Sequence, residues 1–220
     1  MLNDKDRMKM FDDAMGKYVS SGFKKWLVEQ GFFVKPAAIS HHGNYTGGLF
    51  DHSFEVMQVL CELTQRCDIQ WSDERSPWIV GMFHDLCKMD DYLDENAEDT
   101  VVMGTGSPIS KNPKWARNGG CILKGHGDKS VMMLSQFMTL TEEEIFCITF
   151  HMGAYETDRW NQYDAAIRKY ESVLWTHTLL TCMHQKSKVC KSSRWVQGGF
   201  KVKTGHLEPL QTLVVIGFKW

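Results

Sequence analysis

The chain has 220 residues, 43% hydrophobic and 24% charged, with a formal net charge of -2. This is the composition of a soluble globular protein, with room for one large domain or one domain and an appendage, and it excludes a polycationic grip on extended duplex nucleic acid. The seven cysteines are odd in number and scattered without a CxxC pair, which argues against a zinc-finger or disulfide framework, and no apolar run approaches the ~18 residues of a transmembrane helix.

The segment Met1-Leu2-Asn3-Asp4-Lys5-Asp6-Arg7 is charged where a signal peptide needs its apolar core, so a cytoplasmic location is expected. From Arg7 to Glu29 the apolar positions Met8, Phe11, Met15, Tyr18, Phe23, Trp26 and Leu27 recur every three to four residues, predicting a helix or helix pair that breaks near Ser20-Ser21-Gly22. Pro36 biases Lys35 away from helix and closes this region. The glycines of Tyr45-Thr46-Gly47-Gly48-Leu49-Phe50-Asp51-His52-Ser53 then allow a tight backbone approach before a helix running through Phe54, Val56, Met57, Val59, Leu60 and Leu63. His52 falls in its first turns. His41 and His42 lie in the preceding loop, where they are substrate-facing or simply solvated rather than primary ligands.

Asp68 to Pro77 reads as a connection, with Ser72 or Asp73 as a cap and Pro77 in the first turn of the next helix. That helix is expected to deliver His84, Asp85 and Lys88, with Lys88 on the same face as His84. Residues 93–120, with breakers at Gly104, Gly106, Pro108, Pro113, Gly119 and Gly120, suggest an insertion: a lid, a binding loop or a small hairpin on the substrate side, or a plain surface excursion. His126 opens another helix between two glycines, with Val131, Met132, Leu134 and Phe137 on its apolar side. Thr141 and Glu144 form a capping-box signature for a helix that ends near His151. Glu156 to Asp164 reads as a polar connection, Ile167 to about Gln185 as helix, and residues 186–220 as a basic, strand-like appendage with alternation at Phe200-Lys201-Val202-Lys203 and a β-branched run from Leu213.

The pair His84-Asp85 follows an apolar run, and burying such groups costs ~2 to 7 kcal/mol unless they are paired or bind a metal. Imidazole with carboxylate suits a borderline divalent cation, and a carboxylate beside a histidine can bridge two ions. The alternative is a core histidine hydrogen-bonded to its aspartate. The aromatics Tyr45, Trp115 and Trp160 could stack bases along a single strand, or be ordinary core and surface.

The order His52, His84-Asp85, His126, His151, each at a helix end, resembles the HD-domain metal-dependent phosphohydrolase superfamily. The segment from His41 to Ser53 is similar to the HHxxYxGGLxEH stretch of HD domains akin to YhaM-type 3'-to-5' exoribonucleases. The motifs around His84, His126 and His151 are similar to those of small HD hydrolases of Firmicutes and their phages. The resemblance spans roughly residues 20 to 185. It implies an all-α fold, an HD-domain helical bundle, here placed over residues 1–185, while the residue pattern of 186–220 separately suggests a small β appendage. It further implies one or two divalent ions per chain (Mn, Fe, Zn, Ni or Mg), with His52, His84 and Asp85 on the first and Asp85, His126 and His151 on the second. The expected activity is hydrolysis, by metal-activated water, of a phosphoester in a phosphorylated small molecule, a nucleotide or a short single-stranded nucleic acid. Asp85 and Lys88 would be catalytic, and His41, His42, Tyr45 and Lys129 would meet the substrate. No membrane partner is expected, and a homodimer is left open. One departure stands out: where the family's HxADxxA-like pattern supplies a last aspartate, this chain has Leu180 in Thr176-His177-Thr178-Leu179-Leu180. His177 or His184 could substitute, or the chain is a degenerate module that binds a nucleotide or a protein partner without turnover.

Overall fold

The structure, a computed structural model, describes residues 2–40, 43–97, 110, 112–122, 125–153 and 159–189, with side chains described through Met183. It is mostly helical, and among the described residues the only sheet is a two-stranded one. Helix α1 (Asp4–Met15) is capped by Asn3, whose side chain accepts from the Asp6 amide at 3.0 Å. Helix α2 (Ser21–Glu29) is capped by Ser20 in the same way, through the Phe23 amide at 3.1 Å, so the expected break is an N-cap. It stops before Gly31, where the backbone takes φ +84°, earlier than Pro36 would require.

Helix α3 (Gly48–Cys67) carries His52, Val56, Met57 and Leu60 on its buried side. Helix α4 (Ser76–Phe83) begins at Ser76 with Pro77 in its first turn and no side-chain cap. Asp73 instead accepts from the Arg75 amide inside the preceding turn, so neither it nor Ser72 caps the helix. The two helices touch backbone to backbone: a Cβ on Gly81 would lie 2.4 Å from Met57 Cα. Their continuation also departs from expectation. The helix ends at Phe83, a turn holds His84 to Cys87, and a short helix α5 (Lys88–Asp91) follows.

Strand β1 (Tyr92–Asp94) pairs antiparallel with β2 (Trp115–Arg117), Tyr92 opposite Arg117 and Asp94 opposite Trp115. The insertion thus has a paired base. Asp94 fastens it further by accepting from the amides of Asn96, Ser110 and Lys114 at 3.0, 2.7 and 2.7 Å.

Helix α6 (Gly127–Leu134) starts directly after His126, and α7 (Glu142–Thr149) has the expected capping box between Thr141 and Glu144. These two helices also meet at a glycine, since a Cβ on Gly127 would lie 2.4 Å from the carbonyl oxygens of Ile148 and Thr149. Met132 is 54% exposed, off the apolar side of α6 where the sequence pattern had put it. The polar segment near Asp164 contains a helix of its own, α8 (Trp160–Lys169), with Tyr163 and Ala166 inward. Helix α9 (Glu171–Val189) runs past the expected end near Gln185. The strand-like stretches expected at 200–203 and from Leu213 lie outside the described residues.

The core is built on rings. Phe11, Phe23, Phe32, Phe33, Phe50 and Phe83 are all buried, with edge-to-face contacts such as Phe11 against Phe33 at 5.5 Å. Phe83 belongs to this cluster and His84, the next residue, is equally buried. The polar centre therefore begins where the aromatic core ends.

Candidate metal centre

Four helix ends supply the centre. His52 comes from the second turn of α3, His84 and Asp85 from the turn after α4, His126 from the residue before α6, and His151 from just beyond α7. The glycine contacts at Gly81 and Gly127 set the pairing, because each brings two backbones together beside the histidines those helices carry. His52, His84, Asp85 and His151 are 6, 0, 2 and 1% exposed.

Both oxygens of Asp85 are used, in different directions. Oδ2 lies 3.6 Å from His84 Nε2 and 3.9 Å from His52 Nε2, while those two nitrogens are 3.3 Å apart. Oδ1 lies 2.9 Å from His126 Nε2 and 3.6 Å from His151 Nε2. Donors about 2.1 Å from a common ion in tetrahedral or octahedral array are separated by about 3.0–3.4 Å, and the separations here, from 2.9 to 3.9 Å, lie around that range.

Tautomers support the same reading. His84 Nδ1 donates to the Gly81 carbonyl at 2.9 Å, and His151 Nδ1 donates to the Ile148 carbonyl at 2.7 Å. Each bond directs the lone pair of Nε2 toward Asp85, as the outer hydrogen bond of a metal-binding histidine does. A single proton or one cation can fill the gap between the His84 and His52 nitrogens. Among the described residues Asp85 Oδ1 and His151 Nε2 are buried without a hydrogen-bond partner. The 2.9 Å approach of His126 Nε2 to Oδ1 is a charge contact between the two side chains. Buried polar atoms without partners are rare, and here they converge on one place. These groups are positioned to hold a metal ion.

Electrostatics agree with a cation site that keeps its acid ionised. Burial raises the pKa of Asp85, but the charges of Lys88, His126 and His84 outweigh it and hold the carboxyl well below its ordinary value. Burial lowers that of His126, yet Asp85 pulls it up to about 10. Lys88 is raised despite burial, chiefly by Asp85. Its Nζ sits 3.4 Å from His126 Nδ1 and over the Tyr92 ring at 5.7 Å, and the turn at 84–87 means that Lys88 does not share a helical face with His84 as the spacing predicted.

A third set, Cys87, Asp91 and His126, also has ligand spacing. It suits a cation poorly, because Lys88 already faces His126 Nδ1 and Lys129 Nζ holds Asp91 Oδ1 at 2.8 Å. Lys129 is the clearest departure from the expected substrate contacts. It is 2% exposed and engages Asp90 at 2.7 Å as well as Asp91, which leaves it a charge pair under the insertion rather than a substrate contact.

His177 joins neither group among the described residues. Its Nδ1 is 2.5 Å from the Tyr163 hydroxyl, and its ring lies over Gly153, two residues past His151. Burial and then His151 lower its pKa. Tyr163 went unread because its surroundings looked like a polar connection; its three- and seven-residue spacing from Ala166 and Tyr170 was the available signal. Leu180 is fully buried in the core. Tyr45 is 37% exposed, while His41, His42 and the side chain of His184 lie outside the described residues.

No protein-family model, curated protein or solved structure matches this chain. The reading of the centre therefore rests on its own geometry. No helix among the described residues is long and apolar enough to cross a membrane.

Proposed function

We propose that this protein is an HD-type metal-dependent phosphohydrolase acting on a nucleotide or short single-stranded nucleic acid. The observation that carries the reading is the division of the Asp85 oxygens between two histidine pairs, with buried partnerless atoms at the point of convergence. His52, His84 and Asp85 Oδ2 would hold one divalent ion, and Asp85 Oδ1, His126 and His151 a second. Imidazole with carboxylate favours manganese, iron or zinc; nickel and magnesium are further candidates. Bound there, such ions supply Lewis acidity toward a phosphoryl group and an activated water as nucleophile.

The chain's own residues do the rest. The carbonyls of Gly81 and Ile148 hold the rings of His84 and His151 in the ligating tautomer. Burial of Asp85 strengthens every interaction at the centre by keeping bulk water out. Lys88 holds a positive charge beside His126, placed to neutralise charge that develops on a phosphoryl oxygen.

A second reading has one observation in its favour. Leu180, where the family's pattern has its last aspartate, is sealed in the core, and His177 is tied to Tyr163. On that reading the centre binds a nucleotide or a protein partner without turnover.

Metal stoichiometry by elemental analysis, on protein purified without chelator, separates the two when combined with hydrolysis of a chromogenic phosphodiester under added manganese. Bound metal with metal-dependent turnover is expected. Bound metal without turnover on phosphodiesters and nucleotides would favour the binding module, and no metal under any loading condition would remove both.

A further inference from the structure

Apart from the metal centre, the described surface has a cleft of about 570 Å³ formed by two segments, Asn44-Tyr45-Thr46 and Asn112-Pro113-Lys114-Trp115. Its volume is in the range of small-molecule sites. None of the His/Asp ligands lines it. We infer that this cleft receives the base of the substrate, and thus that the protein selects nucleobase-bearing phosphoesters over simple sugar phosphates; this rests on the phosphohydrolase reading above.

Its chemistry is that of a base site. Tyr45 and Trp115 offer aromatic faces, on which bases stack whatever their sequence. The side chains of Asn44, Asn112 and Thr46 place amide and hydroxyl groups on the same walls, and an amide offers both a donor and an acceptor to a base edge.

Contacts within the chain hold both walls. Asn44 Nδ2 donates to the Ile39 carbonyl at 2.8 Å, and the Tyr45 phenol, its pKa raised by burial, lies beside the Asp51 carboxylate, which raises it further. Asp94 holds the amides of Ser110 and Lys114, Asn96 Nδ2 donates to the Asn112 carbonyl at 2.7 Å, and Lys114 pairs with Glu95 at 2.7 Å. A preformed wall lowers the entropy lost on binding.

Both walls also lead to the metal centre. Asp51, a neighbour of Tyr45, immediately precedes His52 and is gripped through both carboxylate oxygens by the buried Arg7, at 2.8 and 3.0 Å. Trp115 pairs opposite Asp94 in β1, and the first residue of that strand, Tyr92, lies under Lys88. One ligand spanning base and phosphate would meet the two halves of this frame.

Saturation-transfer NMR of the full chain, in chelator, with adenosine and with ribose 5-phosphate as probes tests the inference without calling on the metal. Adenosine should receive saturation at its adenine protons. Tyr45→Ala and Trp115→Ala should each weaken its binding by about tenfold or more. Tyr45→Phe and Trp115→Phe, which keep a ring and guard against a folding artefact, should retain it. Adenosine binding that ignores both alanine changes, or an equal loss for ribose 5-phosphate, would overturn the base site. The two readings fail separately. A ring-dependent adenosine site in a protein without metal would keep this inference and remove the hydrolase. Metal-dependent hydrolysis of AMP and ribose 5-phosphate at equal kcat/KM, with no adenosine binding, would do the reverse.

Discussion

Two of the places where the described residues bury carboxylates solve the problem differently. At the start of α7, Glu143 and Glu144 are 1 and 0% exposed, and their oxygens are met by ordinary donors. Glu143 accepts from the Ser72 amide at 2.6 Å and from the Ser172 hydroxyl; Glu144 accepts from the Ser76 hydroxyl at 3.1 Å, the Thr141 amide at 2.8 Å and the Arg75 guanidinium. Asp85 is buried to the same degree, but its oxygens face the ring nitrogens of four histidines, and among the described residues no backbone amide or hydroxyl is hydrogen-bonded to Oδ1. The first arrangement is complete as protein. The second leaves its carboxylate among groups positioned to hold a metal ion, a difference that burial and residue type alone do not reveal.

The contrast is open to attack by mutation. The largest effect belongs to the centre: on the proposed function, manganese should raise the melting temperature of the parent protein and support hydrolysis, and His84→Ala or Asp85→Ala should abolish both. Full activity in either variant would discard the site. Glu144→Ala should show the opposite profile. Removing a fully engaged buried acid should cost about 3 kcal/mol of stability, measured by denaturant unfolding, while the bound metal per chain stays the same.

A third buried charge lies between these extremes. Lys35 is 3% exposed, donates to the Met89 carbonyl, and has its pKa lowered to about 8 by burial, with Asp90 opposing the shift. Below pH 8 the ammonium is charged in both folded and unfolded chains, and its burial weakens the fold. Between the folded value of about 8 and the ordinary 10.5 the unfolded chain binds more protons, so this group makes stability rise with pH; above 10.5 it is neutral in both states. Lys35→Met should therefore be the more stable protein at neutral pH, by about 2 kcal/mol, with the gap closing through that window. A gap independent of pH would show that Lys35 is not buried as a charge. The smallest effect is expected at His177. His177→Phe should leave metal content unchanged, since His177 belongs to none of the ligand groups among the described residues; a lost equivalent of metal would make it the substitute ligand after all.

Much of the centre could be read before folding. The apolar spacing that ends in Phe83 and the capping box at Thr141 each place a histidine at the edge of a buried helix, and the types of donor follow directly from the residues. Helix edges were less legible where tertiary contacts overrode local signals. The chain turns at His84 rather than carrying helix through to Lys88, because Asp85 and both histidine pairs have to face one point. Met132 followed the apolar pattern of α6 but points outward, and Tyr163 followed a polar one but points inward.

What the sequence by itself determined is the helical character, the order of the ligands and the chemistry they offer, because these depend on residue type and on periodicity along one element. Which nitrogen faces which oxygen was decided by the tertiary structure. The glycine contacts of α3 with α4 and of α6 with α7 bring the four helix ends together, and the carbonyls of Gly81 and Ile148 then fix two of the tautomers. The same packing gave Lys129 to Asp90 and Asp91 and His177 to Tyr163. A side chain's partner is set by distances across elements, and no spacing along the chain encodes those distances.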